Sequence, residues 1–366
     1  MKKSLFALMS MLFIFISLPN AQALSSITLT EPTHRALSGK FLDDELATAL
    51  AKDGRLGSVV FGDTRGVRNW NIDAALVDEV IAMSAGYTLL SDQPGQGQDV
   101  ATAWLSQLKR AVGFSSITAT AYGSPSGYWI HRLSPHDESY FLSIGALHLQ
   151  KFFGRPVNSP SSYASTTYFQ LTSDVVQSYK DALAMVQATS AFMSSDELEA
   201  NRLRIASIFY PELSAERRLT LSRDVDMASY NLSHMIKLSP GRFTVTSEHQ
   251  KLPITIKNSF GAPASVRIYV NSLNERIGVT NPEPLILAAN SKTEILVPVD
   301  VISSGDTGLE ISVKTASGVS LGDSVIYPVS VRVISPIATW ITTGAAITLF
   351  VAAIIQSGRR MRRAKK

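Results

Sequence analysis

Two aspartates follow segments that the sequence predicts to be strands of a parallel sheet. Asp63 comes after the apolar run Ser58–Phe61, and Asp73 comes directly after Asn69–Ile72. Active sites in such folds form at the carboxyl ends of strands. Two carboxylates there could hydrolyse a glycosidic bond, one donating a proton and the other acting as base or nucleophile. The structural alternative is that Asp63 shapes a turn and Asp73 caps the next helix.

Metal-binding patterns are poor in this sequence. Asp43 and Asp44 resemble a metal-binding acidic pair, but the helix dipole alone favours acids in a first helical turn. Of the six histidines only His131 and His136 are close together, and Asp137 follows the second. Their spacing on a proline-containing segment does not place two imidazoles on one helical face, as a zinc pair requires. The sequence therefore predicts no metal and no cofactor.

Nucleophile and phosphate motifs are also missing. Gly123–Gly127 has Pro125 where a nucleophile elbow needs serine. The chain has no cysteine, no glycine loop followed by a phosphate-binding lysine and no dinucleotide fingerprint. Aromatic side chains gather after the third predicted strand, where they could stack on a sugar or fill a core. These candidate ligand-binding residues are Tyr122, Tyr128 and Trp129.

The elements that would position these groups alternate between strand and helix. Helices are predicted over 43–50, after Asp73 and over Val100–Val112, and a third strand is predicted over Ile117–Ala121. This alternation predicts an α/β domain over residues 24–170 with a parallel sheet, either open or closed as a degenerate βα-barrel. Long helical patterns over 171–240 predict a helical extension that covers the sheet or forms an arm.

Residues 241–335 have a different pattern. Short, alternating, β-branched segments are separated by turn residues such as Asn281-Pro282 and Ser317-Gly318. Six or seven strands within roughly 95 residues predict an immunoglobulin-like β-sandwich.

The N-terminus has the three parts of a secretory signal peptide over residues 1–23. Lys2 and Lys3 are followed by the apolar run Leu5–Leu18 and by the small-residue cleavage site Ala21-Gln22-Ala23. These features predict export across a membrane.

The C-terminus predicts an anchor. Ile337–Ile355 is apolar enough to cross a bilayer, within a transmembrane helix predicted over 337–356. The tail over 357–366 is basic and has no acid, which predicts a cytoplasmic C-terminus and an extracytoplasmic N-terminal region. The residues that set this topology are Arg359, Arg360, Arg362, Arg363, Lys365 and Lys366.

Charge and composition exclude several classes of function. Of 34 Lys and Arg residues, eight lie at the two ends, which leaves 26 against 30 Asp and Glu. The displayed region is therefore slightly acidic and has no footprint for nucleic acid. Without cysteine there is no disulfide framework and no lipoprotein anchor. Burial must stabilise the displayed chain, whose length of about 310 residues is enough for two cores.

Several stretches resemble a group of uncharacterised actinobacterial envelope proteins that are commonly encoded near the lipid II flippase of peptidoglycan synthesis. The stretches that carry the resemblance are Gly39–Ala47, Gly54–Leu56, Trp70–Asp78, Ala103–Leu105 and Leu252–Asn258. Such relatives are usually longer, with an extra β-rich domain ahead of the α/β part. They tend to carry acids after the third strand, where this chain has the serines of Ala121–Ser126.

The resemblance implies a topology and a setting but no reaction. The favoured hypothesis is a non-catalytic, membrane-anchored envelope protein that binds or scaffolds cell-wall synthesis proteins, export proteins or wall glycan. A carbohydrate-active hydrolase that uses Asp63 and Asp73 is the alternative. A surface adhesin, with the sandwich as its binding module, is a third hypothesis.

Overall fold

Residues 26–332 and 336–363 are described by a computed structural model. Helices and strands are mixed within them, as predicted. The signal-peptide prediction over residues 1–23 lies outside the described residues, as do Lys365 and Lys366 of the tail.

The first part of the chain builds a three-stranded sheet. Its strands are β1 (Ser26–Leu29), β2 (Asn69–Ile72) and β3 (Ser116–Ala119), and both strand pairs are parallel. The strand order is β1-β2-β3, so within the described residues this sheet is open, and the barrel alternative is wrong. The six helices between and after these strands are α1 (Glu45–Leu50), α2 (Arg55–Phe61), α3 (Ala74–Ser84), α4 (Gln98–Val112), α5 (Gly127–Leu133) and α6 (Glu138–Phe153).

The strand predicted over Ser58–Phe61 is a helix instead. Its β-branched residues suggested a strand, but Leu56 and Val60 are four residues apart and are both buried, as expected on one helical face. The indole nitrogen of Trp104 on α4 donates to the carbonyl oxygen of Leu56 at 3.3 Å. Tertiary packing against α4 therefore overrides the local strand preference, and Asp63 follows a helix.

Three further helices share one hydrophobic core with the sheet. They are α7 (Ser173–Thr189), α8 (Ser195–Ala206) and α9 (Ala215–Ser233). Thr172, Ser194 and Ser214 cap them with side-chain oxygens, which satisfy amide groups that have no partner inside a helix. Buried side chains of these helices, such as Tyr179 and Leu221, belong to the same core as Trp70 of β2.

The remaining strands form two sheets that enclose a second core. One sheet has the order β4-β6-β10-β8 and the other β5-β12-β11-β7-β9. All their pairs are antiparallel except that of β5 with β12. Side chains of both sheets, such as Ile254 and Ile311, meet in one core, so the arrangement resembles a β-sandwich. The strands are β4 (Ile236–Leu238), β5 (Phe243–Val245), β6 (His249–Asn258), β7 (Ala264–Ser272), β8 (Ile277–Val279), β9 (Leu285–Leu287), β10 (Ser291–Val301), β11 (Gly305–Thr315) and β12 (Ser320–Val331).

The last helix is α10 (Pro336–Arg363). Its apolar window Trp340–Ser357 is long and apolar enough to cross a membrane, and none of that window is buried inside the protein. This is the one helix of the described residues with that property.

The register of the second core can be tested with two isoleucines on neighbouring strands. Ile311 on β11 is fully buried, whereas Ile326 on β12 is 57% exposed. Ile311→Ala should lower the free energy of unfolding by about 2–5 kcal/mol, because a buried cavity is left. Ile326→Ala should change it by about 0.5 kcal/mol or less. Denaturant unfolding of the detergent-solubilised chain measures both, and equal losses would contradict this register.

Candidate functional site

A cleft of about 750 Å³ opens between α3, α6 and α8. Each helix presents residues at helical spacing to it, such as Ile144 and His148 on α6 and Glu199 and Leu203 on α8. Asp78 and Glu79 of α3 also line it. The cleft is thus a product of helix packing, with mixed polar and apolar walls.

His148 joins all three helices. Its Nδ1 lies 2.6 Å from Asp78 Oδ2 on α3, and its Nε2 lies 3.0 Å from Glu199 Oε1 on α8. The Tyr122 hydroxyl also donates to Asp78 Oδ2, at 2.8 Å. The Tyr122 ring meets the imidazole edge-on, with ring centroids 5.4 Å apart. Asp78 therefore accepts from two partners, and the imidazole is held from both sides.

The charges of this network favour a protonated imidazole. The hydrogen bond that His148 donates to Asp78 raises the pKa of the imidazole; burial lowers this pKa, and Glu199 raises it further. Burial raises the pKa of Tyr122 well above its usual value, and the charge of Asp78 acts in the same direction. The tyrosine thus stays a neutral hydrogen-bond donor.

Glu79 lies beside Asp78 but serves the loop between β1 and α1. It is buried, accepts a short hydrogen bond from the Thr33 hydroxyl, and accepts from the backbone amide of His34 at 2.9 Å. Burial raises the pKa of Glu79, while the charge of His34 and these hydrogen bonds lower it. Asp224 of α9 holds the next part of the loop, accepting from the amides of Leu37 and Ser38.

Two arginines, one in this loop and one on α8, donate to its carbonyl oxygens. Arg35 Nε donates to the carbonyl oxygen of Gly39 at 3.0 Å, and Arg204 of α8 donates to that of Leu37 at 3.2 Å. Both are half-buried and line the cleft. Gly39 has a φ of 89°, and a side-chain carbon there would lie 3.5 Å from Arg35 and 3.9 Å from Arg204. The two guanidinium groups therefore lie over the same residue, whose positive φ favours glycine.

Asp73, the first predicted carboxylate, is fully buried at the start of α3. It accepts from the backbone amides of Ala75 and Gly123, each at 2.9 Å. The first bond caps α3, and the second ties that helix to the segment after β3. Burial raises the pKa of Asp73 to about 7, although these hydrogen bonds lower it.

Asp63, the second predicted carboxylate, is exposed and holds Arg65. Its oxygens accept from the guanidinium at 2.7 to 3.1 Å and from the Arg65 amide at 3.0 Å. The Arg65 side-chain hydrogen bond lowers the pKa of Asp63 to about 2. Neither Asp63 nor Asp73 lines the cleft, and no hydrogen bond joins the two.

The three aromatic candidates separate into two places. Tyr122 lies in the cleft. Trp129 is buried in the core, and its indole nitrogen donates to the carbonyl oxygen of Phe169 at 3.2 Å. Tyr128 is 39% exposed and meets Trp129 and Tyr168 edge-on, with ring centroids 5.2 Å apart in each pair.

One cluster has the donor types of a metal site. Ligand atoms of His34, Asp43 and Glu45 lie within 4.8 Å of one another. The guanidinium of Arg217 contacts all three residues. It lies 3.0 Å from His34 Nδ1 and 3.3 Å from a Glu45 carboxylate oxygen, and it donates a short hydrogen bond to Asp43. Although burial opposes it, the His34 hydrogen bond lowers the pKa of Asp43 to about 2. An organic cation thus balances these acids, and a metal would have to displace it.

The main residues of the cleft escaped sequence reasoning. Asp78 and Glu79 fall within the helix predicted after Asp73, and an acidic pair on a largely buried helix is a usable signal. His148 lies on α6, which was not predicted, 70 residues from Asp78 and 51 from Glu199. Arg35 and Arg204 carry no local pattern at all.

The fold and cleft define a mixed α/β protein with a β-sandwich-like part and one candidate membrane helix. The chain belongs to a family of unknown function, DUF6049, whose sequence profile matches residues 160–366. No curated protein matches the sequence.

Solved structures resemble about a quarter of the chain. A mutant Salmonella alpha-2-macroglobulin matches at 19% identity over 26% of this chain and 7% of that chain, with a TM-score of 0.22. WR4, an MSP family member of C. elegans, matches at 14% identity over 26% and 97%, with a TM-score of 0.21. A PapD-like domain of human CEP192 matches at 10% identity over 28% and 86%, also with a TM-score of 0.21. The match thus spans only a small part of the macroglobulin.

The role of Asp73 can be tested with two substitutions. Asp73→Ala should lower the free energy of unfolding by about 1–3 kcal/mol, because two buried amides lose their acceptor. Asp73→Asn keeps an oxygen that can cap α3 and should cost less.

The pH dependence of Asp73→Asn gives an independent check. The folded pKa of about 7 exceeds the ordinary value of 3.8. As pH rises between these values, the wild-type carboxyl ionises in the unfolded chain but not in the folded one, so the wild-type fold loses stability. The stability of Asp73→Asn relative to wild type should therefore improve over that range. Tryptophan fluorescence during denaturant unfolding measures it, and a difference independent of pH would contradict the buried carboxyl.

The imidazole of His148 should stabilise the fold in acid more than in base. Since the folded pKa lies above the ordinary 6.5, its contribution is fully present below about 6.5 and is lost as pH rises through the folded pKa. The destabilisation by His148→Gln, measured by unfolding at several pH values, should shrink along that rise. His131→Gln, at an exposed histidine, is the control and should have little effect at any pH. A constant loss in His148→Gln would refute the charged network.

Proposed function

We propose that this chain is a non-catalytic, single-pass membrane protein of the bacterial envelope, which presents its cleft outside the cytoplasm to bind or scaffold a partner. The observation that carries the proposal is α10, whose apolar window has no buried residue. In a soluble protein the 18 residues of this window would expose their apolar side chains to water. A bilayer removes that cost.

The order of elements supports an extracytoplasmic display. β12 ends at Val331 and α10 begins at Pro336, so the sandwich-like part is joined to the helix by a short connection. We assign this part to the immunoglobulin-like class, a stalk that holds the α/β part and its cleft away from the bilayer. The signal peptide over residues 1–23 and the basic tail give the proposed orientation, with the N-terminal region outside.

The proposed setting is the actinobacterial cell wall. It rests on the resemblance to envelope proteins encoded near the lipid II flippase, which favours a role in peptidoglycan precursor export or wall assembly. Partners would then be wall-synthesis or export proteins, or wall glycan. Crosslinking in native membranes tests this setting, and recovery of no such partner would remove its support.

The chemistry of the cleft favours binding over hydrolysis. A glycosidase needs one acid that donates a proton and a second carboxylate free to act. Asp78 is held by Tyr122 and His148, and Glu79 by Thr33 and a backbone amide. The two carboxylates of the hydrolase alternative, Asp63 and Asp73, are tied to Arg65 and to backbone amides.

The natural absence of cysteine allows a direct test of topology. Ala316→Cys places a thiol in the exposed turn between β11 and β12, and Lys366→Cys places one at the tail. A membrane-impermeant maleimide should label Ala316→Cys in intact cells, and Lys366→Cys only after the membrane is opened. The unmodified chain is the control for background. The reverse pattern, or labelling of both variants in intact cells, would overturn the proposed orientation.

A further inference from the structure

We propose that Arg35 and Arg204 anchor the phosphate group of a small phosphorylated ligand in the cleft. This site would give the proposed binding role a ligand, and the proposed membrane topology would place that ligand outside the cytoplasm. The cleft would select phosphate esters.

The two guanidinium groups come from separate elements and converge. Arg35 belongs to the loop between β1 and α1, and Arg204 to the last turn of α8. Each spends one nitrogen on a carbonyl of that loop, at Gly39 and Leu37. A side-chain carbon built on Gly39 would contact both guanidinium groups, at 3.5 Å from Arg35 and 3.9 Å from Arg204, so the two groups lie over the same residue. Because a guanidinium carries five N–H donors, most of its donors stay available.

Four acids line the cleft, Asp78, Glu79, Asp196 and Glu199, and each of them has an interaction partner. Asp78 and Glu199 share the imidazole of His148, and Glu79 has the Thr33 hydroxyl and a backbone amide. In the part of the chain that the structure describes, neither cleft arginine has an ion pair within 4.0 Å. Burial and the charge of Arg204 lower the pKa of Arg35, whereas the charges of Glu79, Tyr122 and Asp78 raise it. Two half-buried like charges without a direct ion pair make a site that an anion would stabilise.

A phosphate suits this pair better than other anions. It offers several oxygens that can accept bidentate hydrogen bonds from two guanidinium planes at once. Lys109 and Lys151 line the same cleft and add positive charge at its exposed side. Apolar side chains such as Ile144 and Leu147 form another wall, where the rest of the ligand can lie. The volume of about 750 Å³ is that of a small-molecule site.

The test is calorimetric titration of the full detergent-solubilised chain with glucose 1-phosphate, glycerol 1-phosphate, inorganic phosphate and acetate. Saturable binding of a phosphate ester is expected. Arg35→Gln and Arg204→Gln should each weaken it about tenfold or more, because charged hydrogen bonds are lost. Arg223→Gln, at an exposed arginine of α9 outside the cleft, is the matched control and should bind as wild type does.

The probes also identify the source of the phosphate. Tighter binding of glycerol 1-phosphate supports a lipid headgroup, and tighter binding of glucose 1-phosphate supports a sugar phosphate. Failure of every phosphate to bind, acetate binding as tightly as the esters, or equal weakening in Arg223→Gln would overturn the proposal.

A measurement on the unmodified chain covers the case in which a variant does not fold. Saturating phosphate ester should protect Arg35 and Arg204 from an arginine-selective dicarbonyl reagent and leave Arg223 reactive, as mapped by mass spectrometry. Unchanged modification of the pair would overturn the proposal. The cysteine-labelling result does not depend on ligand binding, so failure of the phosphate site and failure of the membrane display are distinguishable.

Discussion

The buried carboxyl of Asp73 is the constraint on which the cleft depends. By capping α3 it fixes where that helix begins, and so it fixes where Asp78 and Glu79 point one turn later. By accepting from the amide of Gly123 it also fixes the chain after β3. The neighbouring Tyr122 can then donate to Asp78. One side chain thus couples two strand ends and a helix start, which explains why a carboxyl is kept where burial raises its pKa.

A second layer of carboxylates organises the loop that carries Arg35. Glu79 of α3 and Asp224 of α9 accept from backbone amides on successive parts of that loop. An irregular segment packed among helices would otherwise leave those amides without partners, at a cost of about 1–3 kcal/mol each. The acids near the loop are therefore structural. Arg35 and Arg204 use only some of their N–H donors on the loop. The acids therefore hold the loop in place, whereas the arginines keep donors for a ligand.

Sequence patterns predicted the parts of the fold that depend on local chemistry. The cap at Asp73, the helix after it and most strands of the second core follow from spacing and from alternation of apolar residues. The prediction failed over Ser58–Phe61, where packing against Trp104 outweighs the preference of β-branched residues for strands. Helix α6 was missed as well, and with it His148.

The cleft was harder to predict because its members are brought together only by helix packing. Asp78, His148 and Glu199 lie on three different helices and are far apart in sequence. Each taken alone is an ordinary polar residue on an amphipathic helix, which usually faces water. These residues form a site only because the three helices pack together. The packing of helices that are distant in sequence cannot be predicted from local residue spacing. Asp73 could be predicted because its place after a strand and before a helix is evident from the local sequence.

The region that matches the family, residues 160–366, divides the cleft unequally. It contributes α8 with Glu199 and Arg204, whereas Arg35, Asp78 and His148 precede it. Buried side chains of α7 and α9, such as Tyr179 and Leu221, pack into a core completed by Trp70 and Trp104 of the earlier part. Without that part these helices would expose a large apolar surface, so the matched region is not an independent folding unit. The binding surface consequently exists only where both parts of the chain are folded together, since each supplies one of the two arginines.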